Sequence, residues 1–315
     1  MLTIRPVAPF RLDLTAWALR RRSRNIIDRW DGSVYRRVIV VSGRPMEVFV
    51  RQTGSPAEPR LIISTTPAPR DWQDRRRIRL ILDRLLGLHL DLAGWYRMAA
   101  RDKRLRPLAE RFRGVKPPRF PTLFEALVNA FACQQLSLEV GLELLNRLAT
   151  VCGGTVRGDG EVHEVHYAFP GPEDVVQLRS SRVLALGFSR QKTRAMMDLA
   201  RAITQRGLDL EVLHRESDEV VRQRLLALHG VGRWTAEYVL LRGLGRLHVF
   251  PGDDVGAQKR LASWLGRAHP LDYAGIQRVV ERWQPYAGLM YFHLLLDGLT
   301  QRGVVPSAAV AAANR

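Results

Sequence analysis

Two glycines around a single valine, Gly230 and Gly232, interrupt an otherwise helical stretch and constrain what the surrounding chain can become. Glycine tolerates positive φ, so the pair flanking Val231 permits a turn that brings bare backbone against a ligand. Upstream, Val220, Val221, Leu225, Leu226 and Leu228 recur at helical spacing and Ser217 stands where an N-cap is needed, which predicts a helix over 219–228. Downstream, Trp234, Tyr238 and Leu241 fall three and four apart, predicting a second helix over 233–242 that Gly243 ends. The turn therefore sits at a helix N-terminus, where unpaired N–H groups and the positive end of the macrodipole favour an anion such as a nucleic-acid phosphate. Two helices joined by a short glycine turn are also a common packing unit, and the turn alone leaves both readings open.

Charge bears on that choice. The chain carries 49 basic against 31 acidic residues, a net +18 at pH 7, and nearly all the basic residues are arginine. Such an excess favours a polyanionic partner, although a merely solvated arginine-rich surface gives the same count. With 315 residues and 46% hydrophobic content the chain can bury one large or two modest cores, and two domains are expected. There is no run of 18 apolar residues, and the opening MLTIRPVAPFRLDL lacks the order of a signal peptide. The expectation is a cytoplasmic, nucleoid-associated monomer with no membrane partner. Cys133 and Cys152 are too few for a four-thiolate iron–sulfur cluster and read as buried free thiols. Neither an HExxH spacing nor a His-x-Glu with a downstream Pro-Cys-x-x-Cys is present, so zinc-dependent deamination finds no support.

Along the chain the pattern changes near residue 90. Before it, Val34 to Ser42, Met46 to Thr53 and Arg60 to Ser64 read as strands, with alternation clearest in Val34, Arg36, Val38 and Val40. Phe10 to Leu19 and Arg75 to Leu86 carry helical spacing, so residues 1–90 are expected to form a small α+β domain with helices over an antiparallel sheet. Residues 91–315 are expected to be helical apart from Val162 to Phe169, a short hairpin or extended loop. Ser137, Ser189 and Ser217 mark helix starts, Gly187 and Gly207 mark ends, and the tail after Gly303 is expected to fray.

The stretch LHGVGRWTAEYVLLRGLGRLHVFPGDD resembles the helix-hairpin-helix DNA glycosylase superfamily, whose hairpin is followed by a Gly/Pro-rich loop and an aspartate. It is most similar to the bacterial 3-methyladenine DNA glycosylase II group, matching it at Gly230 to Ala236 and at Pro251 to Asp254. FPTLFEALVNAFACQQLSLEVGLELLNRLA looks like that group's phenylalanine-rich helix and Gln-Gln-x-Ser turn, with Thr122 and Glu125 patterned as a capping box. LGFSRQKTRAMMDLARAI and ERWQPYAGLMYFHLLLDGL resemble its later helices, so the likeness runs in order from Phe120 to Gly298. The resemblance implies a mostly α fold, with a helical core preceded by an antiparallel-sheet domain similar to half of a TATA-binding protein.

It also implies an activity: base-excision repair of alkylated purines, 3-methyladenine or 7-methylguanine in type, in double-stranded DNA that contains damaged bases. Asp254 occupies the catalytic position. Cleavage of the glycosidic bond builds positive charge on the sugar, which a fixed carboxylate stabilises, and Asp254 is positioned either for that or to activate water. A helix starting at Asp254 and running through Ala257 to Leu265 would favour its charged form. Asp253 reads as a helix cap or loop anchor. Trp234 replaces the Schiff-base lysine of strand-nicking relatives, so hydrolysis leaving an intact abasic site is expected, and Lys259 points elsewhere. Trp234, Tyr238 and Phe124 are the pocket aromatics implied for a cationic base. For a flipped base the wedge filling the gap is Leu136 or Gln135, Leu136 also being readable as a core leucine. Gly230, Gly232, Arg233, Thr235, Ser189 and Lys192 are the remaining implied DNA contacts. No catalytic cofactor is implied, while sodium or potassium could sit on the carbonyls of Leu226, Leu228 and Val231. The last helix offers Leu294 to Leu296 where the best-known members carry a Trp-Tyr pocket pair, and Ala287 and Gly288 where they commonly carry Arg-Ser. A glycosylase for deaminated or oxidised bases and a non-catalytic DNA-binding protein remain the alternatives.

Overall fold

The computed structural model describes residues 2–158 and 164–305. Strands β1 (Leu2–Ile4), β2 (Arg29–Trp30), β3 (Val34–Val41), β4 (Arg44–Thr53) and β5 (Arg60–Thr66) form one antiparallel sheet in the order β1-β5-β4-β3-β2. The β3–β4 register, Val41 opposite Arg44, leaves only Ser42 and Gly43 in the turn, and both take positive φ as a tight primed hairpin requires. Helices α1 (Leu12–Arg20) and α2 (Trp72–Leu86) cover one face. Tyr35, Ile39, Val48, Val50, Leu61 and Ile63 bury against Leu12, Ala16, Ile78 and Leu82 of those helices. β1 and β2 are too short to leave a period-2 signature, which is why the sequence does not reveal them.

The helical part comprises α3 (Ala93–Arg101), α4 (Leu105–Arg111), α5 (Leu123–Cys133), α6 (Leu138–Cys152), α7 (Pro172–Val176), α8 (Ser180–Ala185), α9 (Arg190–Arg206), α10 (Asp218–Leu226), α11 (Arg233–Arg242), α12 (Val255–Trp264), α13 (Tyr273–Val280) and α14 (Ala287–Gln301). It holds two apolar cores. One gathers residues of α5 through α11, and the other gathers α3, α4 and α12 to α14 together with Leu14, Trp17 and Ala18 of α1. Helix α1 thus buries one face under the sheet and the other among the helices, packing on both sides of the boundary expected near residue 90. Helix α11 straddles the two helical cores, giving Tyr238 and Val239 to one and Leu241 to the other.

Between α6 and α7 a two-stranded hairpin, β6 (Thr155–Arg157) with β7 (Val165–Tyr167), docks on the sheet face away from α1 and α2. Val38 packs there against Val156 and Ala168, and His166 pairs with Glu47 at 2.9 Å. Of the expected 162–169 segment, Val162 and His163 lie outside the described residues. The tail differs from expectation at its start: Val305 is fully buried in the second helical core, because Val304 and Val305 turn back onto Leu299. From Pro306 onward the tail lies outside the described residues. No described helix is long and apolar enough to cross a membrane, and Cys133 and Cys152 are free, half-buried thiols.

Candidate active site

The hairpin forms as its glycines require. α10 is capped by Ser217, whose side chain accepts from the Val220 N–H, and ends at Leu226, two residues before the expected limit. Gly230 adopts φ +81, and a Cβ there would lie 2.6 Å from that of Ala195, so both backbone and packing demand glycine. Gly232 differs from the expected positive φ: it is the extended N-cap of α11, and a Cβ there would meet open space, so the α11 terminus stays uncovered. The N–H groups of Gly232, Arg233 and Trp234 have no acceptor among the described residues. That leaves the α11 terminus open, with unpaired donors of the kind that suit an anion.

Helix α11 also holds the loop that carries Asp253 and Asp254. Arg233 and Glu237, one turn apart, both reach the segment before α12. Arg233 grips Asp253 with two hydrogen bonds of 2.6 and 3.0 Å and stacks its guanidinium 3.8 Å over Tyr273. Buried Glu237 accepts from the Gly252 N–H at 3.0 Å and from the Tyr273 hydroxyl at 2.6 Å, and burial pushes its pKa up. Asp253 is therefore a loop anchor and not a cap, and the exposed Arg233 gives two of its donors to it. The cap is Asp254, accepting from the Ala257 N–H at 2.7 Å at the start of α12. The other oxygen of Asp254 accepts from the Tyr291 hydroxyl at 3.2 Å and faces Trp234 Nε1 at 3.4 Å. The carboxylate is half-exposed, beside the hairpin helix.

Aromatic rings surround that carboxylate. Trp234 is half-buried and lies with its ring centre 5.4 Å from that of Tyr238, tilted 32°. Tyr238 receives a hydrogen bond from Arg21 at 3.2 Å, and Arg21 also donates to Asn129 at 2.8 Å. Phe124 does not join them: it is 4% exposed within the α5–α11 core, because its position on α5 faces inward with Leu127 and Val128. Leu294 to Leu296 are buried as well, and the aromatic that α14 brings to Asp254 is Tyr291, one turn earlier. Its hydroxyl pKa is pushed well up by burial. The sequence displays a tyrosine there, yet nothing local tells that it faces position 254.

A second turn leans on the hairpin. Gln134 donates from one side-chain nitrogen to the Gly230 carbonyl and to the Thr235 hydroxyl, each at 2.9 Å. Thr235 is 1% exposed, so its hydroxyl serves this internal bond and not a phosphate. Beyond Gln134 the chain turns through Gln135, at φ +54, and both Gln135 and Leu136 project into solvent. Leu136 is 42% exposed, which removes the core reading. Lys192 donates to the carbonyls of Ala132 and Gln134 at 3.0 and 2.7 Å, holding this turn, while Ser189 caps α9. Thr122 caps α5, but the capping box stays half-made: Glu125 turns to Arg37, bonded at 2.6 Å, instead of back to the cap. Leu226 ends α10, and Leu228 and Val231 lie in the turn beyond, where the Leu228 carbonyl accepts from the Val231 N–H at 3.2 Å.

With this geometry in view, comparison with known proteins agrees. Residues 128–285 match the HhH-GPD superfamily base excision DNA repair protein family. The chain belongs to that superfamily. It is similar to a DNA-3-methyladenine glycosylase of Bacillus subtilis, 27% identical over 71% of this chain and 74% of that protein. It is also similar to DNA-3-methyladenine glycosylase 2 of Escherichia coli, 27% identical over 58% of this chain and 60% of that protein. Among solved structures, the 3-methyladenine DNA glycosylase of Archaeoglobus fulgidus superposes with a TM-score of 0.82 at 26% identity, covering 94% of this chain and 98% of that one.

Proposed function

We propose that this protein is a monofunctional DNA glycosylase that hydrolyses the N-glycosidic bond of alkylated purines in duplex DNA and leaves an abasic site. The single observation that carries the reading is the half-exposed Asp254 carboxylate, bonded to the α12 terminus and to Tyr291, beside Trp234 and the uncovered hairpin. As the base departs, the sugar becomes cationic, and a carboxylate fixed before the reaction stabilises that charge without reorganising. Water attacks the same centre, and Asp254 is placed to orient it. Trp234 with Tyr238 offers an electron-rich face to a cationic base. The strand is held at the α11 terminus and, by way of an alkali ion, at the carbonyls of Leu226, Leu228 and Val231. Leu136 or Gln135 enters the gap left by the extruded nucleotide.

Release of free base from duplexes carrying alkylated, deaminated or oxidised residues tests this reading. Asp254→Asn is expected to abolish release while duplex affinity survives. Release from oxidised or deaminated duplexes alone would assign a different substrate, and release from none would leave a binding protein. Borohydride trapping of a covalent adduct on abasic DNA would refute monofunctional hydrolysis, since Trp234 offers no amine.

A further inference from the structure

Away from the hairpin and the Asp254 loop, a cleft of about 420 Å³ opens between one face of α3 and the turn that follows α13. Gly94, Arg97, Met98 and Arg101 line it from α3, and Asp102, Arg282 and Trp283 complete the wall. The volume is in the range of sites for small organic ligands. Its charge is net positive, three arginines against Asp102. The side chains of Arg97 and Arg101 are exposed and make no ion pair or hydrogen bond with any described residue. Arg282 bonds only the Val279 carbonyl of its own turn, at 3.1 Å, and lies over the Trp283 ring. The one carboxylate in the wall is already taken: Asp102 accepts from the Arg104 and Leu105 N–H groups and from Trp283 Nε1 at 3.3 Å. That bond also fixes the indole closing the floor, where Trp283 is 1% exposed. The wall thus presents three guanidiniums against one carboxylate; none is in a salt bridge with a described residue, and Arg282 is the one whose charge acts on Asp102, helping to lower its pKa.

We propose that this cleft binds a phosphate-bearing ligand, at a site distinct from the one for base excision. Guanidinium forks match phosphate oxygens two bonds at a time, and like charges around a concavity raise a local potential that a phosphate offsets. Such a group has two sources, a free phosphorylated small molecule or the backbone of a nucleic-acid strand. The full chain is titrated calorimetrically with pyrophosphate and, over a range of salt, with an undamaged duplex. Wild type is compared with Arg97→Gln/Arg101→Gln, with Arg282→Gln and with the Arg97→Lys/Arg101→Lys pair. A free small molecule is indicated when pyrophosphate binding weakens at least about tenfold in the glutamine variants, with lysine restoring only the part owed to charge. A backbone phosphate is indicated when pyrophosphate binding is unaffected but the salt slope of duplex affinity falls by about 2 in the double glutamine variant. Unchanged pyrophosphate affinity together with an unchanged slope overturns the proposal. Base release is expected to persist in all these variants, so this outcome is separable from that of the Asp254 test.

Discussion

Asp253 and Asp254 share a chemistry and differ in what reaches them. Arg233 takes the first in a two-bond fork, while the second keeps an oxygen toward Tyr291 and Trp234. Glu237 fixes the backbone just before them through Gly252, which makes it a positioning residue for the loop. Glu237→Gln turns an all-acceptor group into one with an N–H₂ facing a donor. Its expected effect is a single-turnover excision rate lower by roughly ten- to a hundredfold, since small misplacement of a reacting group is costly. Duplex affinity measured on the same preparation should hold, and a loss confined to affinity would contradict the positioning role. His293 illustrates the same scale for stability. Burial pushes its pKa down to about 4, with its ring centre 5.0 Å from that of Trp95 and 6.2 Å from that of Phe112, and Nδ1 on the Leu289 carbonyl at 2.8 Å. Below an unfolded value of 6.5 the unfolded chain binds the proton first, so folding stability falls as pH drops from about 6.5 to 4 and the loss levels off below that. Thermal midpoints across that window should show the decline, and His293→Leu should make it shallower.

At the scale of elements, the hairpin and the Gln134–Ser137 turn act as one unit because Gln134 joins them. The two hairpin glycines then separate stability from binding. Gly230→Ala forces a methyl into a left-handed residue and against Ala195, with an expected loss of about 1–3 kcal/mol in urea unfolding. Gly232→Ala meets open space at an extended residue, so its unfolding midpoint should stay near wild type while duplex affinity drops. Equal destabilisation by both would mean that the hairpin is only a packing joint. The register of α11 explains why one helix serves several tasks: 234 and 238 carry neighbouring rings, and 233 and 237 carry the loop anchors.

Across the whole molecule, buried ionic contacts tie the sheet to the helices. Arg37 of β3 bonds Asp28 at 2.8 Å and Glu125 of α5 at 2.6 Å, and all three are almost fully buried. The paired carboxylates raise the Arg37 pKa against its burial. Arg37→Met would strand two buried carboxylates, with an expected cost of about 3–5 kcal/mol. Adding Glu125→Gln should recover part of that stability, and chemical denaturation of the two variants checks the order. Arg21 extends the linkage, running from the end of α1 to Tyr238 on α11 and Asn129 on α5. Through it the sheet-side helix reaches the aromatic that stands beside Trp234.

What the chain determines by itself is what depends on neighbours a few positions apart. Ser217, Gly230 and Gly243 punctuate α10 and α11 where periodicity says they should, and the helix that Asp254 opens is visible from its spacing. The three longer strands are legible for the same reason, since a pleat repeats every second residue. The tertiary structure alone decides which partner a side chain takes. Glu125 could close a local capping box, but a guanidinium 88 positions away wins it, because a buried carboxylate needs a countercharge more than a cap needs its second bond. In the same way Arg233 claims one of two adjacent aspartates and Tyr291 is turned toward the other, choices made by distances that no sequence spacing encodes.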